Sequence, residues 1–494
     1  MKRIAIPVLA ALLASCTPKA PSSYSNLDKV PSVFPDYTDI TIPANIAPMN
    51  FSIDEQADEY ITVFSTSSAS TTVKGRKVRI PESKWRKLTA GSRITVQVYG
   101  RSGKQWSAYA PFSMSVSDDI DPYISYRIIP ISVESYEKLS IRQRNITNFR
   151  EKVIFANTMV QNNEQGTCIN CHHYKNWETD NMMFHVRHYK GGTVLVLDGK
   201  LNKVNMKTDS TISAGVYPSW HPTHDYIALS NNWTHQSIHA ASHDKLEVID
   251  ENNDIILYET RTNTVSVIEN DSSELECYPA WSADGRTLYY VSAHYEGPFG
   301  PGRESQMFLD KEKLHFNLYS KSFDPDTRVW GKKQLVYDAT AVDSSMTWPR
   351  VSPDGRWMVC CISNYGIFPL DQIASDYIVF DLSDHSYRYA DELNSAFAES
   401  FHCWSSNGKW FMFSTRREDA VHTRLYFSHI DENGHFSKPF ALPQRDPEFN
   451  REFLNAFNIG EFMKEPVHIT PRQFASFISS TDATPSRYES KKEK

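Results

Sequence analysis

Trp348-Pro349-Arg350-Val351-Ser352-Pro353-Asp354-Gly355-Arg356 is the stretch whose reading decides the fold. Three other stretches repeat its pattern: Tyr217-Pro218-Ser219-Trp220-His221-Pro222-Thr223-His224-Asp225, Tyr278-Pro279-Ala280-Trp281-Ser282-Ala283-Asp284-Gly285-Arg286 and Phe401-His402-Cys403-Trp404-Ser405-Ser406-Asn407-Gly408-Lys409. An apolar run follows each copy, as in Trp357-Met358-Val359-Cys360 and Leu288-Tyr289-Tyr290-Val291. Asp-Gly and Asn-Gly reach positive φ at low cost and so close tight turns between antiparallel strands. A further strand pair comes after each unit, for example Ile255 to Tyr258 with Val265 to Ile268. Four strands recurring at roughly 50–70 residues are the signature of a β-propeller with long inserted loops. The first copy has His224-Asp225 where Asp-Gly stands elsewhere, which leaves its turn type open. Five or six blades are expected over residues 193–445, closing with strands from both ends of the repeat region.

Upstream, residues 37–118 alternate in short runs such as Tyr60 to Phe64 and Ile94 to Tyr99, split by turns at Lys74-Gly75 and Gly100 to Gly103. This reads as an antiparallel β-sandwich of Ig or fibronectin type III size. Residues 119–192 lack clean alternation and read as a partly helical connector, with helical character around 132–156. Residues 446–494 form a C-terminal extension that packs over the ring and ends in a polar, disordered stretch from about Thr481.

The connector holds Cys168-Ile169-Asn170-Cys171-His172, a C-x-x-C-H spacing. Two thiols so placed can each add to a vinyl group of one porphyrin, and the adjacent histidine can ligate its iron. Cys168, Cys171 and His172 are therefore the candidate cofactor-binding residues, with His172 as proximal ligand to one covalent haem c. The sixth ligand is sought in Met182-Met183-Phe184-His185 and His188; His185 is preferred and Met183 is the alternative. Zinc at Cys168 and Cys171, completed by His173, His185 or His188, is a second reading, and a disulfide is a third. His221, His224, His235, His239 and His243 form a local surplus read as solvated loop.

The N-terminus reads as an export signal: Lys2-Arg3, then the apolar run Ile4 to Leu13, too short to span a bilayer. It ends in Leu13-Ala14-Ser15-Cys16, which resembles a bacterial lipobox and implies a signal peptide over 1–15, lipidation of Cys16 and a tether over 16–36. That compartment is compatible with haem c and with disulfides. A net charge of −7 gives no electrostatic reason to expect nucleic-acid binding. Aromatics make up 13% of the chain, in keeping with a strand-rich fold. No nucleophile elbow, phosphate loop or H-E-x-x-H occurs, so the sequence names no catalytic residues.

The repeats, most plainly Trp348 to Arg356, resemble TolB-like propeller repeats over residues 193–445. The whole order of lipobox, sandwich, C-x-x-C-H segment and propeller resembles cytochrome-c-like TolB-type lipoproteins of Bacteroidetes. The resemblance implies a lipid-anchored envelope protein facing the periplasm, with a protein or redox partner docked on the propeller. The functional expectation is electron transfer; an envelope interaction, assembly or sensing role with a structural or sensory haem is the alternative, and a haem enzyme with its substrate in the propeller channel is the third reading.

Overall fold

The computed structural model describes residues 18–130, 138–160, 166–239, 242, 244, 246–297 and 300–490. The expected signal peptide and lipidation site, Cys16, lie outside them, as does His243. The chain is mainly β, and its sheets fall into an N-terminal pair and a following group of six.

The N-terminal pair comprises a seven-stranded and a three-stranded sheet. Phe51 meets Phe112 edge-on and Phe64 at a tilt in the core between them. Trp85, on the short helix Glu82–Leu88, is fully buried and donates its indole N–H to the Ile46 carbonyl at 2.9 Å. The expected tether is not free of this unit: Ser25 and Asn26 pair in parallel with Ser107 and Ala108, and Tyr24 packs edge-on against Tyr99. The unit docks on the last of the six sheets. Asp121 accepts from the Ser406 backbone and hydroxyl at 2.6 Å each, and the Trp410 indole donates to the Asp118 carbonyl.

The six sheets carry four or five strands each. Their first strands are Asn455–Met463, Thr167–Lys175, Val216–Trp220, Glu274–Trp281, Ser345–Val351 and Glu399–Trp404, and each touches the next around a closed ring. This is a propeller-type arrangement. At one position in every first strand the register breaks and φ turns positive: Cys171, Tyr217, Tyr278, Trp348, Phe401 and Ile459. Each is a β-bulge, which twists the strand and re-aims its side chains.

The turns behave as the repeats predict. In Ser282 to Arg286, Asp284 accepts from the Ser282 hydroxyl and the Arg286 N–H, and Gly285 takes φ +71°. The first copy uses a different device. His221 Nδ1 accepts from the backbone N–H of Thr223 and His224, and its Nε2–H donates to the Gly285 carbonyl at 2.9 Å. His221 is thus a buried turn cap linking two sheets.

Two expectations need correction. Residues 119–192 are mainly strands where described, with one 3-10 turn at Asn157–Met159, not a partly helical connector: Tyr123–Pro130, Ser140–Asn145 and Glu151–Ala156 join Asn455–Met463 in the first sheet. Polar residues on buried faces hid the pattern. Gln143 and Arg144 lie in the interior, where Gln143 pairs with the Val467 backbone and Arg144 donates to Gln444 Oε1 at 2.7 Å. The C-terminal extension is also built in rather than laid over the ring. Asn455–Met463 is an innermost strand, and Thr484–Pro485 and Arg487–Tyr488 extend the second and third sheets in parallel. The described residues beyond Thr481 are held by such pairing and by Arg328 on Glu489 at 2.7 Å.

Candidate functional site

The C-x-x-C-H motif occupies the innermost strand of the second sheet, Thr167–Lys175, paired with Glu178–His188. Cys168 stands opposite Arg187, and Asn170 opposite His185. Directly opposed residues of an antiparallel pair share a face. Cys168 therefore shares the face of Arg187 and His185; half-exposed at the strand end, it also abuts the apolar cluster on the other side. The bulge at Cys171 turns its thiol toward the third sheet, where the backbone N–H of Tyr217 faces the sulfur. Burial, the largest influence, holds this thiol protonated.

His185 and Arg187 line a cavity of about 530 Å³ between the second and third sheets. Gly192, Thr193, Lys207 and Trp233 complete much of its wall. The volume falls within the ~300–1,000 Å³ of small-molecule and cofactor pockets. His185 Nδ1 bonds Thr193 Oγ1 at 2.9 Å, while its buried Nε2 has no partner. One nitrogen held and the other free is the pattern of a metal-ligating imidazole. Burial first, then Arg187, pushes the pKa of His185 down to about 3, so the ring is neutral as a ligand must be. The wall includes no carboxylate.

His172 does not share this side. Its ring faces Arg127 and the backbone of Ser125 on the first sheet without completing a hydrogen bond, so both ring nitrogens are buried and unpartnered. Burial, with Arg127 adding, lowers its pKa to about 3. Met183 is fully buried in an apolar cluster with Leu195, Trp220 and Leu229, which makes it a packing residue. Met182 packs on the opposite side. Neither thiol lines this cavity, Cys171 facing Tyr217 and Tyr278 at the centre of the ring instead; the histidine of the motif is turned away, and the alternative methionine is committed to the core, so the residues do not gather a complete haem set around the cavity. For zinc, no group of three or more His, Cys, Asp or Glu residues is gathered to hold an ion among the described residues.

The channel through the ring is filled. The bulge residues form an aromatic layer, with Tyr278 and Trp348 4.1 Å apart between centroids, Tyr217 and Tyr278 4.6 Å, and Trp348 and Phe401 4.1 Å. Only about 20 Å³ remains there. Beneath this layer, Arg350 donates to His173 at 2.8 Å and to Glu461 at 3.2 Å. Burial raises the carboxyl of Glu461 to about 7 against the opposing pull of Arg350. His173 is therefore an ion-pair neighbour and not a ligand candidate. Cys277, Cys360, Cys361 and Cys403 are buried free thiols.

Sequence reasoning missed Arg187, Lys207 and Thr193. The His185-x-Arg187 spacing at strand periodicity was the available signal for Arg187. Nothing local marked Lys207, which reaches the cavity from the next sheet connection.

No family model matches this chain, and no curated protein matches it. Solved structures give distant likenesses. Prolyl oligopeptidase B from Galerina marginata aligns at 9% identity over 77% of this chain and 43% of its own, with a TM-score of 0.37. Kuenenia stuttgartiensis hydrazine synthase aligns at 12% identity over 54% of this chain and 64% of its own, with a TM-score of 0.30. The β-propeller domain of Cps50 (Swd1) from Myceliophteria thermophila aligns at 8% identity over 67% of this chain and 91% of its own, with a TM-score of 0.31. The chain spans less than half the length of the prolyl peptidases it matches, and at these scores its architecture rests on its own sheets.

Proposed function

We propose that this chain is a lipid-anchored envelope protein whose six-bladed propeller, preceded by an Ig-like sandwich, holds one c-type haem and transfers electrons to a docked partner. The supporting observation is the C-x-x-C-H motif itself, on an innermost strand paired with Glu178–His188, where His185 lines a cavity of about 530 Å³ and keeps one buried ring nitrogen unpartnered. Cys168 and Cys171 would hold the group by thioether bonds and His185 would ligate its iron. A haem so held supplies a one-electron carrier. Thr193 fixes the His185 ring through Nδ1. The aromatic layer of Tyr217, Tyr278 and Trp348 closes the channel side to water. With the channel filled, the outer faces of the blades are left as the docking surface, as the TolB-like resemblance implies.

The test is a visible spectrum of protein exported with haem-c maturation machinery, read with a pyridine haemochrome assay. A Soret band that survives denaturation is the expected result. Its absence would remove the electron-transfer reading and leave the envelope interaction role.

A further inference from the structure

Below the aromatic layer the channel opens into a pocket of about 180 Å³, on the face of the ring that carries the Asp-Gly turns. Trp177, Trp220, Trp281 and Trp404 stand on its wall. Two of these indoles are engaged: Trp404 donates to the Arg350 carbonyl at 3.1 Å and Trp177 to the Trp404 carbonyl at 2.7 Å. Trp220 and Trp281 are each 6% exposed, and their buried N–H groups have no partner. His173 Nε2 accepts from Arg350 at 2.8 Å, so the neutral ring carries its proton on Nδ1, which is also buried and unpartnered. The Tyr174 hydroxyl is the remaining buried side-chain polar atom of this wall without a partner. All four of these groups carry a hydrogen to donate. Interior donors without partners are costly, so four on one wall call for an acceptor.

The repeat shows how the pocket is opened. Two residues after the bulge stand Ser219, Ala280 and Cys403 in three copies, and Arg350 in the fourth. The next position holds Trp220, Trp281 and Trp404, but Val351 after Arg350. The fifth sheet alone thus replaces a small residue by a cation and a tryptophan by a smaller side chain, and both replacements lie on this wall. Arg350 is its only lysine or arginine, and Glu461, its only acid, accepts from Arg350 at 3.2 Å. Arg350 is drawn toward the first and second sheets, whereas the unpaired indoles belong to the third and fourth, beside the small Ser219 and Ala280. We infer that this pocket binds a small organic acid. Its carboxylate accepts from Trp220, Trp281 and His173 near the charge of Arg350, and its apolar body lies against Pro222, Val351 and Pro353. Hydrogen bonds to a carboxylate are roughly twice as strong as those to a neutral carbonyl, which favours an acid over an amide. Water is the competing occupant; it meets the donors but gains nothing from the apolar wall. Neither Cys168 nor Cys171 lines this pocket, so the inference stands apart from the haem reading.

The experiment titrates the full-length protein calorimetrically with phenylacetate, phenylacetamide and acetate. Phenylacetate should bind more tightly than phenylacetamide by roughly tenfold or more, the size of one charge-assisted hydrogen bond. Acetate, which lacks the apolar body, should bind more weakly than phenylacetate. Trp220→Phe and Trp281→Phe keep an aromatic ring and delete the N–H; each should weaken phenylacetate by roughly tenfold. Trp106→Phe, in the N-terminal unit, should leave its binding unchanged. Urea unfolding midpoints check that the variants fold, and the three probes on the wild-type chain decide the matter even where a variant does not. Equal binding of phenylacetate and phenylacetamide, acetate binding as tightly as phenylacetate, or wild-type affinity in Trp220→Phe/Trp281→Phe would overturn the inference. So would no binding of phenylacetate at millimolar concentration, since the donors then hold water alone.

Discussion

Gly285→Ala offers a sharp test of how the ring is stapled. Gly285 takes φ +71°, where an L-residue costs about 1–2 kcal/mol. A Cβ there would also lie 2.3 Å from His221 Cε1 and 2.4 Å from Nε2. The imidazole cannot swing aside freely, because its Nδ1 caps two backbone N–H groups and its Nε2–H holds the Gly285 carbonyl. Displacing it forfeits about 1 kcal/mol for each bond lost and adds about 1–3 kcal/mol of overpacking. With one of these bonds lost the total is about 3–6 kcal/mol. Gly355 is the internal control: its φ is +75°, yet a Cβ would meet only Ala283 Cβ at 3.4 Å, so Gly355→Ala should cost about 1–2 kcal/mol. The assay is urea unfolding followed by tryptophan fluorescence, comparing midpoints because a chain of this size need not unfold in two states. His221→Ala in the Gly285→Ala background should show strong coupling, removing the excess cost. Equal midpoints for the two glycine variants, or additive behaviour with His221→Ala, would refute the staple.

Cys168→Ala/Cys171→Ala should lose haem staining on denaturing gels yet keep a wild-type circular dichroism spectrum, because other side chains fill the Cys171 position in the remaining five sheets. His185→Ala should move the Soret maximum and Thr193→Val should move it less, whereas Met183→Leu should leave the spectrum alone; a spectrum insensitive to His185 would exclude it as ligand. Glu276 is fully buried with both carboxylate oxygens unpartnered, and burial, opposed by Lys333, raises its pKa to about 8. A pKa raised on folding stabilises fully below the ordinary value of about 4.5 and is lost as pH rises through about 8. Glu276→Gln should therefore gain stability over wild type progressively between pH 5 and 8, by a few kcal/mol at the top of that range; parallel unfolding midpoints across it would show the carboxyl to be solvated.

Four of the six inner strands were legible because proline, tryptophan and an Asp-Gly or Asn-Gly turn stand together, or nearly so, in each. The other two carry the same bulge but lost those markers. In Cys171-His172-His173-Tyr174 and Ile459-Gly460-Glu461-Phe462 the only shared sign is an aromatic three residues after the bulge. The second sheet also turns through Asn176-Trp177, both at positive φ, and a tryptophan there resembles no common turn residue. The thiols of the site were legible from spacing and its His185 from proximity along the chain. The side on which His172 lies was not, because a bulge breaks the alternation that parity arguments rest on. The cations were invisible for the same reason that the cavity was: both depend on how two sheets face one another.

The first sheet is stitched from residues more than 300 apart, with Tyr123–Pro130 pairing antiparallel to Asn455–Met463. During synthesis the ring is consequently an open horseshoe until the last stretch of chain emerges. Until then Tyr123–Pro130 presents a bare edge to any passing strand. The late-arriving strand also lies directly against Thr167–Lys175, which bears both thiols of the motif. Any chemistry performed on those thiols by another protein thus has a natural window, between the emergence of the first half of the chain and the arrival of its clasp.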